Sequence, residues 1–419
     1  MKHKIFFTLL LMLASMSIWA QEVITEDENG VSDTVQTYVF VSDTIFGDTI
    51  SLSWEQKLQA RLDLLLDDPM FETSQVGLFI YDLTADSALY RHNERQLMRP
   101  ASTMKMVTAV TALDQLGGSY QFRTRLLYTG EIANRTLTGN IYSVGGFDPR
   151  FNGDDMTAFV NEIRELGIDT IRGRLLADKS MKDADLLGEG WCWDDDNPTL
   201  SPLLLNRKDV FMDQFMSKLR AAGVVLDVMI SEDKAPFDAQ EICSRTHSMD
   251  QILQKMMKDS DNLYAEAMFY QLSSVVGKRP ATAKNAASIV RKLIARVGLN
   301  PSDYKIADGS GLSLYNYVTP EMEMKLLKYA YRNGEIYSHL HPSMPIAGVD
   351  GTLKKRMRKT AAEGNVHAKT GTVTAVSCLA GYATAPNGHT LCFSIMNNGL
   401  ISISKGRAFQ DKVCTVMCE

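Results

Sequence analysis

The sequence predicts an α/β fold: an antiparallel sheet flanked by helices, with a smaller domain inserted into it. Three observations carry this. Strand-like segments lie near the start, at residues 76–90, and again near the end, at 366–396. Between them run stretches whose apolar residues recur at helical spacing. Residues 128–245 hold strands and helices of their own, so they are expected to form a separate layer. A chain of 419 residues is long enough for one large or two moderate domains, and 45% hydrophobic residues supply a sizeable core.

Residues 1–20 read as a secretory signal. Lys2 and Lys4 precede a mostly apolar run from Ile5 to Leu13, and Ala20 is small enough for cleavage. The run is too short and too soon interrupted by Ser15 and Ser17 to favour a membrane anchor, and no later segment is long and apolar enough to span a bilayer. An exported, periplasmic protein with no transmembrane anchor after cleavage is expected. Residues 21–51 form an acidic flexible linker: Gln21 to Gln56 contains no Lys or Arg, and only Tyr38-Val39-Phe40-Val41 looks able to pair locally.

Folded structure is expected from residue 52, with one domain taking 52–127 and 246–419 and the insert taking 128–245. Trp54 to Leu66 has helical periodicity, Val76 to Tyr81 reads as a strand, Ala85-Asp86-Ser87 as a turn and Ala88-Leu89-Tyr90 as the returning strand. Arg99-Pro100-Ala101-Ser102 then leads into a helix with Met106, Val107, Val110 and Leu113 on one face, ended by Gly117 after Leu116. Ser102 therefore sits at a helix N-terminus, and Lys105, three residues on, shares its face. In the insert, helices are expected at Met156–Leu166 and Asp209–Ala222. Residues 246–275 are helical, with Ser260-Asp261-Asn262 between two runs, and Thr282–Val297 is a further helix. The chain closes with strands at Val366–Val373, Ser377–Thr384 and His389–Met396, the last two joined through Asn387-Gly388, and a helix from about Ala408.

Composition removes some functions. A net charge of −6 argues against nucleic acid as a partner. Seven histidines are scattered without metal-ligand spacing, and no His-Glu-x-x-His, P-loop or Gly-x-Ser-x-Gly elbow occurs, so no metal or organic cofactor is expected. Six cysteines in an exported chain permit disulfides; packing as small hydrophobes is the alternative.

Three short motifs carry chemistry: Ser102-Thr103-Met104-Lys105, Ser260-Asp261-Asn262 and Lys369-Thr370-Gly371. Ser-x-x-Lys alone is weak, since it recurs at Ser231, Ser302 and Ser402, the last in an expected loop. Three motifs in this order are far more specific. Amide hydrolysis needs an activated nucleophile, a proton shuttle and an oxyanion site. Ser102 is the candidate nucleophile. Lys105 is its candidate base, if burial and a neighbouring positive charge such as Lys369 lower its pKa. Ser260 can relay a proton to the leaving amine, and Asn262 can hold substrate and Lys105. Lys369 and Thr370 can bind a substrate carboxylate from the strand that also carries Gly371 and Thr372, and the main-chain N–H groups of Ser102 and Thr372 are candidate oxyanion donors. Taken singly, Ser102 would be a helix cap, Asn262 another, and the two lysines solvated surface groups; their joint occurrence favours function. His367, two residues before Lys369 on the same strand face, reads as a packed or surface histidine.

The resemblance goes beyond these motifs. Arg99 to Lys105, Gly146-Phe147-Asp148-Pro149, Gly190-Trp191-Cys192-Trp193-Asp194-Asp195, Asp308-Gly309-Ser310-Gly311-Leu312-Ser313, Ala347 to Leu353 and His367 to Thr372 resemble the low-molecular-mass class C penicillin-binding proteins, which are D-alanyl-D-alanine carboxypeptidases and endopeptidases. That resemblance, over roughly residues 55–415, implies a β-lactamase/transpeptidase-like fold. It also implies Ser102 as acylated nucleophile, Lys105 as base, Ser260, Asn262 and Lys369 in the site, peptidoglycan peptides as substrates, and β-lactam antibiotics as inhibitors. One departure is that only 158 positions separate Ser102 from Ser260, so the innermost inserted domain of longer members is missing. Two other functions share features of this sequence. A β-lactamase would need a base for rapid deacylation, and no distinctive glutamate motif supplies one. A non-catalytic wall-binding scaffold would not need Ser102, Lys105 and Lys369 intact.

Overall fold

A computed structural model describes residues 18–21, 38–41, 52–193 and 197–419. Most of the expected signal and linker, and Asp194 and Asp195, lie outside the described residues. The chain falls into two compact units, Met1–Arg61 and Leu62–Glu419. In the first, β1 (Ile18–Gln21) and β2 (Tyr38–Val41) pair antiparallel, with Ile18 opposite Val41. Helix α1 (Trp54–Leu66) crosses the boundary between the units.

The second unit opens with β3 (Gln75–Asp82) and β4 (Ser87–His92), then a 3-10 turn at Ala101–Thr103 running into α2 (Met104–Leu116). Next come β5 (Gln121–Ala133), β6 (Thr136–Val144), α3 (Gly153–Glu165), β7 (Thr170–Asp178), α4 (Phe211–Ala221), β8 (Val225–Glu232) and β9 (Gln240–Ser248). Helices α5 (Met249–Lys258), α6 (Asn262–Val276), α7 (Ala283–Arg296), α8 (Pro320–Arg332) and α9 (Gly334–Ser343) follow. The chain ends with β10 (His367–Val373), β11 (Val376–Thr384), β12 (Thr390–Asn398) and α10 (Ile403–Cys418).

The expected joining of the chain's two ends occurs. One sheet has the order β10-β11-β12-β3-β4, antiparallel throughout, with Ser394 of β12 opposite Phe79 of β3. The second sheet, β8-β7-β6-β5-β9, is mixed: β6, β7 and β8 run parallel and β5 is antiparallel to both its neighbours. Its strands span Gln121 to Ser248, a wider stretch than 128–245. Helices α3 and α4 cover one face, where Phe159, Phe211 and Phe215 pack on Leu126, Ile141, Ile171 and Leu175.

Helix α2 departs from the one-sided pattern predicted for it. Its first ten residues are all buried, because α5 to α9 surround it. The polar residues this buries are satisfied: Thr108 donates to the Gly309 carbonyl at 2.7 Å and Thr111 to the Val107 carbonyl at 2.8 Å. Helices α8 and α9 fill a stretch for which no element is predicted from sequence. Thr319 caps α8 and Pro320 starts it, but the buried acid Glu323 breaks its apolar stripe. At the C-terminus, Ser402 is not in a loop. It is the N-cap position of α10, which starts five residues earlier than expected because Gly399, at φ +76°, ends β12 sharply. All six cysteines are free thiols.

Candidate active site

The turn bearing Ser102 is shaped by close backbone approaches. Ala101 takes a left-handed conformation, φ +48°, and the 3-10 turn 101–103 feeds straight into α2. A Cβ on Gly371 of β10 would lie 2.5 Å from the Pro100 carbonyl oxygen and 3.1 Å from the Ser102 nitrogen. One on Gly311 would lie 1.8 Å from the Ala101 carbonyl oxygen. Both glycines let neighbouring chain segments press against the Ser102 turn. Ser102 makes no cap hydrogen bond; its hydroxyl instead accepts from Lys105 Nζ at 2.9 Å.

Lys105, the second residue of α2 and three residues beyond Ser102, is fully buried. Its Nζ also donates to Asn262 Oδ1 and to the Ser310 carbonyl, both at 2.7 Å. Burial lowers its pKa to about 8, while the charges of Asp308, Glu266 and Asp261 oppose the shift. Of the two causes expected from sequence, burial is the one that lowers the pKa. With a pKa of about 8, roughly a tenth of Lys105 is the free amine at pH 7.

Ser260 sits in the break between α5 and α6, also left-handed at φ +59°. The cap of α6 is Asp261, which accepts from the Tyr264 N–H at 3.3 Å and is ion-paired with Arg207. Asn262 is consequently not a cap, and its amide is turned to Lys105. Lys369 is fully buried in β10; its Nζ donates to Ser260 Oγ at 2.8 Å and to the Thr370 carbonyl at 2.6 Å. Burial, then Lys105, holds its pKa well below the usual lysine value. Thr370 hydrogen-bonds Thr352 at 2.8 Å, and Thr372 accepts from Arg407 at 3.2 Å. Two lysines therefore lie buried beneath a half-exposed layer of Ser102, Ser260, Asn262 and Thr370, with Thr372 exposed. No carboxylate pairs with either lysine among the described residues. The arrangement suits a hydroxyl nucleophile beside an amine base, with a second amine–hydroxyl pair for proton transfer.

Residues without a role predicted from sequence hold this layer. Asp308 accepts from the N–H groups of Gly311 and Ser313, the Asn316 amide and Trp191 Nε1, at 2.7–2.8 Å, which fixes the loop presenting the Ser310 carbonyl to Lys105. Glu266, one turn along α6 from Asn262, accepts from the Ser310 N–H at 2.7 Å. Its complete burial raises its pKa to about 8. Glu323 meets Thr103 at 2.5 Å and Ser394 at 2.7 Å, and burial raises it to about 7. The Gly-Ser-Gly run at 309–311 is a sequence signal of the loop, but nothing local marks Glu266 or Glu323 as buried. His367 stacks on His341 with ring centroids 4.2 Å apart, the packed arrangement expected for it.

The chain is similar to known proteins along most of its length. A family model described as the D-Ala-D-Ala carboxypeptidase 3 (S13) family matches residues 58–203 and 204–418. The chain is 28% identical to a D-alanyl-D-alanine carboxypeptidase of an Actinomadura species, covering 82% of this chain and 81% of that protein. It is 26% identical to D-alanyl-D-alanine carboxypeptidase DacB of Haemophilus influenzae, over 78% of this chain and 86% of that one. A crystal structure of penicillin binding protein 4 (dacB) from Haemophilus influenzae superposes with TM-score 0.77 at 24% identity, over 84% of this chain and 97% of that chain. The same protein complexed with a β-lactam gives 0.71 at 26% identity, with the same coverage.

Proposed function

The chain belongs to the D-Ala-D-Ala carboxypeptidase 3 (S13) family, a family of hydrolases, and we propose that it is an exported, periplasmic serine DD-peptidase acting on peptidoglycan stem peptides or cross-links through an acyl-enzyme at Ser102. The observation that carries this is the contact of a buried, pKa-depressed Lys105 amine with the Ser102 hydroxyl at 2.9 Å.

In this reading the free amine of Lys105 takes the Ser102 proton as Oγ attacks the penultimate D-Ala carbonyl. The main-chain N–H groups of Ser102 and Thr372 receive the oxyanion. Ser260, hydrogen-bonded to Lys369, passes a proton to the leaving amine as the C–N bond breaks. Lys369 and Thr370 bind the terminal carboxylate, and Asn262 holds Lys105 and the substrate's peptide group; Gly371 keeps the strand against the nucleophile. Water then hydrolyses the ester and restores Ser102. β-Lactams acylate the same oxygen as substrate mimics. Residues 52–127 and 246–419 are read as the peptidase domain and 128–245 as an insert, with the second sheet reaching a few residues beyond it at each end.

The test is labelling with fluorescent penicillin, followed by gel and mass spectrometry. Stable label on the wild type and none on folded Ser102→Ala is expected, together with release of D-Ala from a D-Ala-D-Ala peptide. Rapid nitrocefin turnover would instead favour a β-lactamase, and an unlabelled, folded wild type would sink the proposal.

A further inference from the structure

A cleft of about 400 Å³ opens on the face of the second sheet turned away from α3 and α4. Four cationic side chains line it: Arg123 and Arg125 from β5, Lys234 from the β8–β9 connection and Arg279 from the α6–α7 connection. Strand alternation places both arginines of β5 there, because Leu126 belongs to the α3/α4 side. The carboxylate among the lining residues, Asp178, is already engaged: its two oxygens accept the N–H groups of Ser180 and Ala235, each at 2.9 Å. Arg125 has a loose ion pair with Glu241 at 3.8 Å, and Arg279 Nε donates to the Ser274 carbonyl at 3.4 Å. Arg123 and Lys234 are exposed and have no carboxylate partner among the described residues. This positive charge is concentrated in a chain whose net charge is −6. Phe237, also lining the cleft, is 103% exposed, a bare aromatic ring beside the cations.

The cleft is tied to the candidate active site through α6. Buried Gln271 accepts from the Tyr120 hydroxyl at 2.9 Å and donates to the Gly146 carbonyl, joining the cleft's wall to that helix. Gln271 lies nine residues along α6 from Asn262, which is ~13 Å of helix and the span of about four extended residues.

We propose that this cleft binds a carboxylate-bearing stretch of a cell-wall peptide several residues from the bond cleaved at Ser102; the substrate class rests on the DD-peptidase reading. Guanidinium forks suit carboxylates, and a cleft lined by more cations than carboxylates concentrates them. The Phe237 ring covers the apolar part of such a strand.

The test compares wild type with the double variant Arg123→Glu/Lys234→Glu. The probes are a diacetylated tripeptide ending in D-Ala-D-Ala, whose one carboxylate is terminal, and purified peptidoglycan, native or with its carboxylates amidated. Penicillin labelling and tripeptide kcat/KM should stay within about twofold, while co-sedimentation with native peptidoglycan at low salt falls about tenfold. Amidating the peptidoglycan should weaken wild-type binding to a similar extent. A variant that labels normally yet sediments with native peptidoglycan like wild type would overturn the proposal, as would equal wild-type binding to native and amidated material. Loss of the DD-peptidase reading would show separately, as wild type that neither labels with penicillin nor cleaves the tripeptide.

Discussion

At the scale of single residues, two of the buried ionisable groups, Lys105 and Glu323, give separate pH predictions. As the proposed base, Lys105 can take a proton only as the free amine, and its pKa of about 8 lies inside a practical pH range. The rate of penicillin acylation should therefore rise about tenfold per pH unit below pH 8 and level off above it. A flat profile from pH 6 to 9 would mean that the base does not titrate near 8; Lys105→Ala should slow acylation by roughly 10²–10⁴. Glu323 tells a different story. The Thr103 hydroxyl has one proton and two close oxygens, the Pro100 carbonyl at 2.8 Å and Glu323 Oε1 at 2.5 Å. Both contacts are satisfied when Thr103 donates to the carbonyl and Glu323 is the neutral acid. A carboxyl raised to about 7 by burial holds its proton in the folded state when the unfolded chain has lost it. Its contribution to stability is thus full below the ordinary glutamate pKa and declines as pH rises to about 7. Glu323→Gln, neutral at every pH, should gain on wild type by about 3 kcal/mol between pH 4 and pH 8, read from urea melts at each pH. An unchanged difference would mean that Glu323 is ionised in the folded protein.

At the scale of elements, the site is made where β10, the Ser102 turn and the 308–313 loop meet without side chains between them. Gly371→Ala should be costly although alanine is small, because its Cβ would meet the Pro100 carbonyl oxygen at 2.5 Å and backbone cannot swing aside as a side chain can. Moving β10 by a fraction of an ångström shifts Lys369 and Thr370 from Ser102, so penicillin acylation should fall by about 10²-fold. Near-normal acylation by Gly371→Ala would show that the strand has room to give. The loop depends on Asp308 in the same way: its four strong donors would be left without their acceptor in Asp308→Ala, and the Ser310 carbonyl would lose its place at Lys105.

At the scale of the whole molecule, residues Leu62–Glu419 form one compact unit although they contain two sheets and separate apolar clusters. Strand β9 leads directly into α5, and β5 follows α2 after a short turn: Met249 of α5 follows Ser248, and its N–H donates to the carbonyl of Tyr120, the residue before β5, at 2.9 Å. A core truncation in the second sheet's cluster, such as Phe159→Ala, should cost about 3–5 kcal/mol. It should lower one shared transition, in which circular dichroism and penicillin labelling are lost together. Labelling that outlasts a separate melting of the second sheet and its helices would show that the two layers unfold independently.

The sequence by itself determined the strands that begin and end the second unit, the helix after Ser102, the break at Ser260 and the three motifs. These follow from local periodicity, turn residues and spacing, which act over a few neighbours. Only the tertiary structure decided that α2 is buried on every side, that Asp261 rather than Asn262 caps α6, and that Lys105 is desolvated completely. It alone recruited Asp308, Glu266 and Glu323, and gathered Arg123, Lys234 and Arg279 around one cleft. Desolvation and long-range hydrogen bonding depend on what the chain brings back from a hundred or more residues away, such as Ser310 to Lys105, and no local pattern records that.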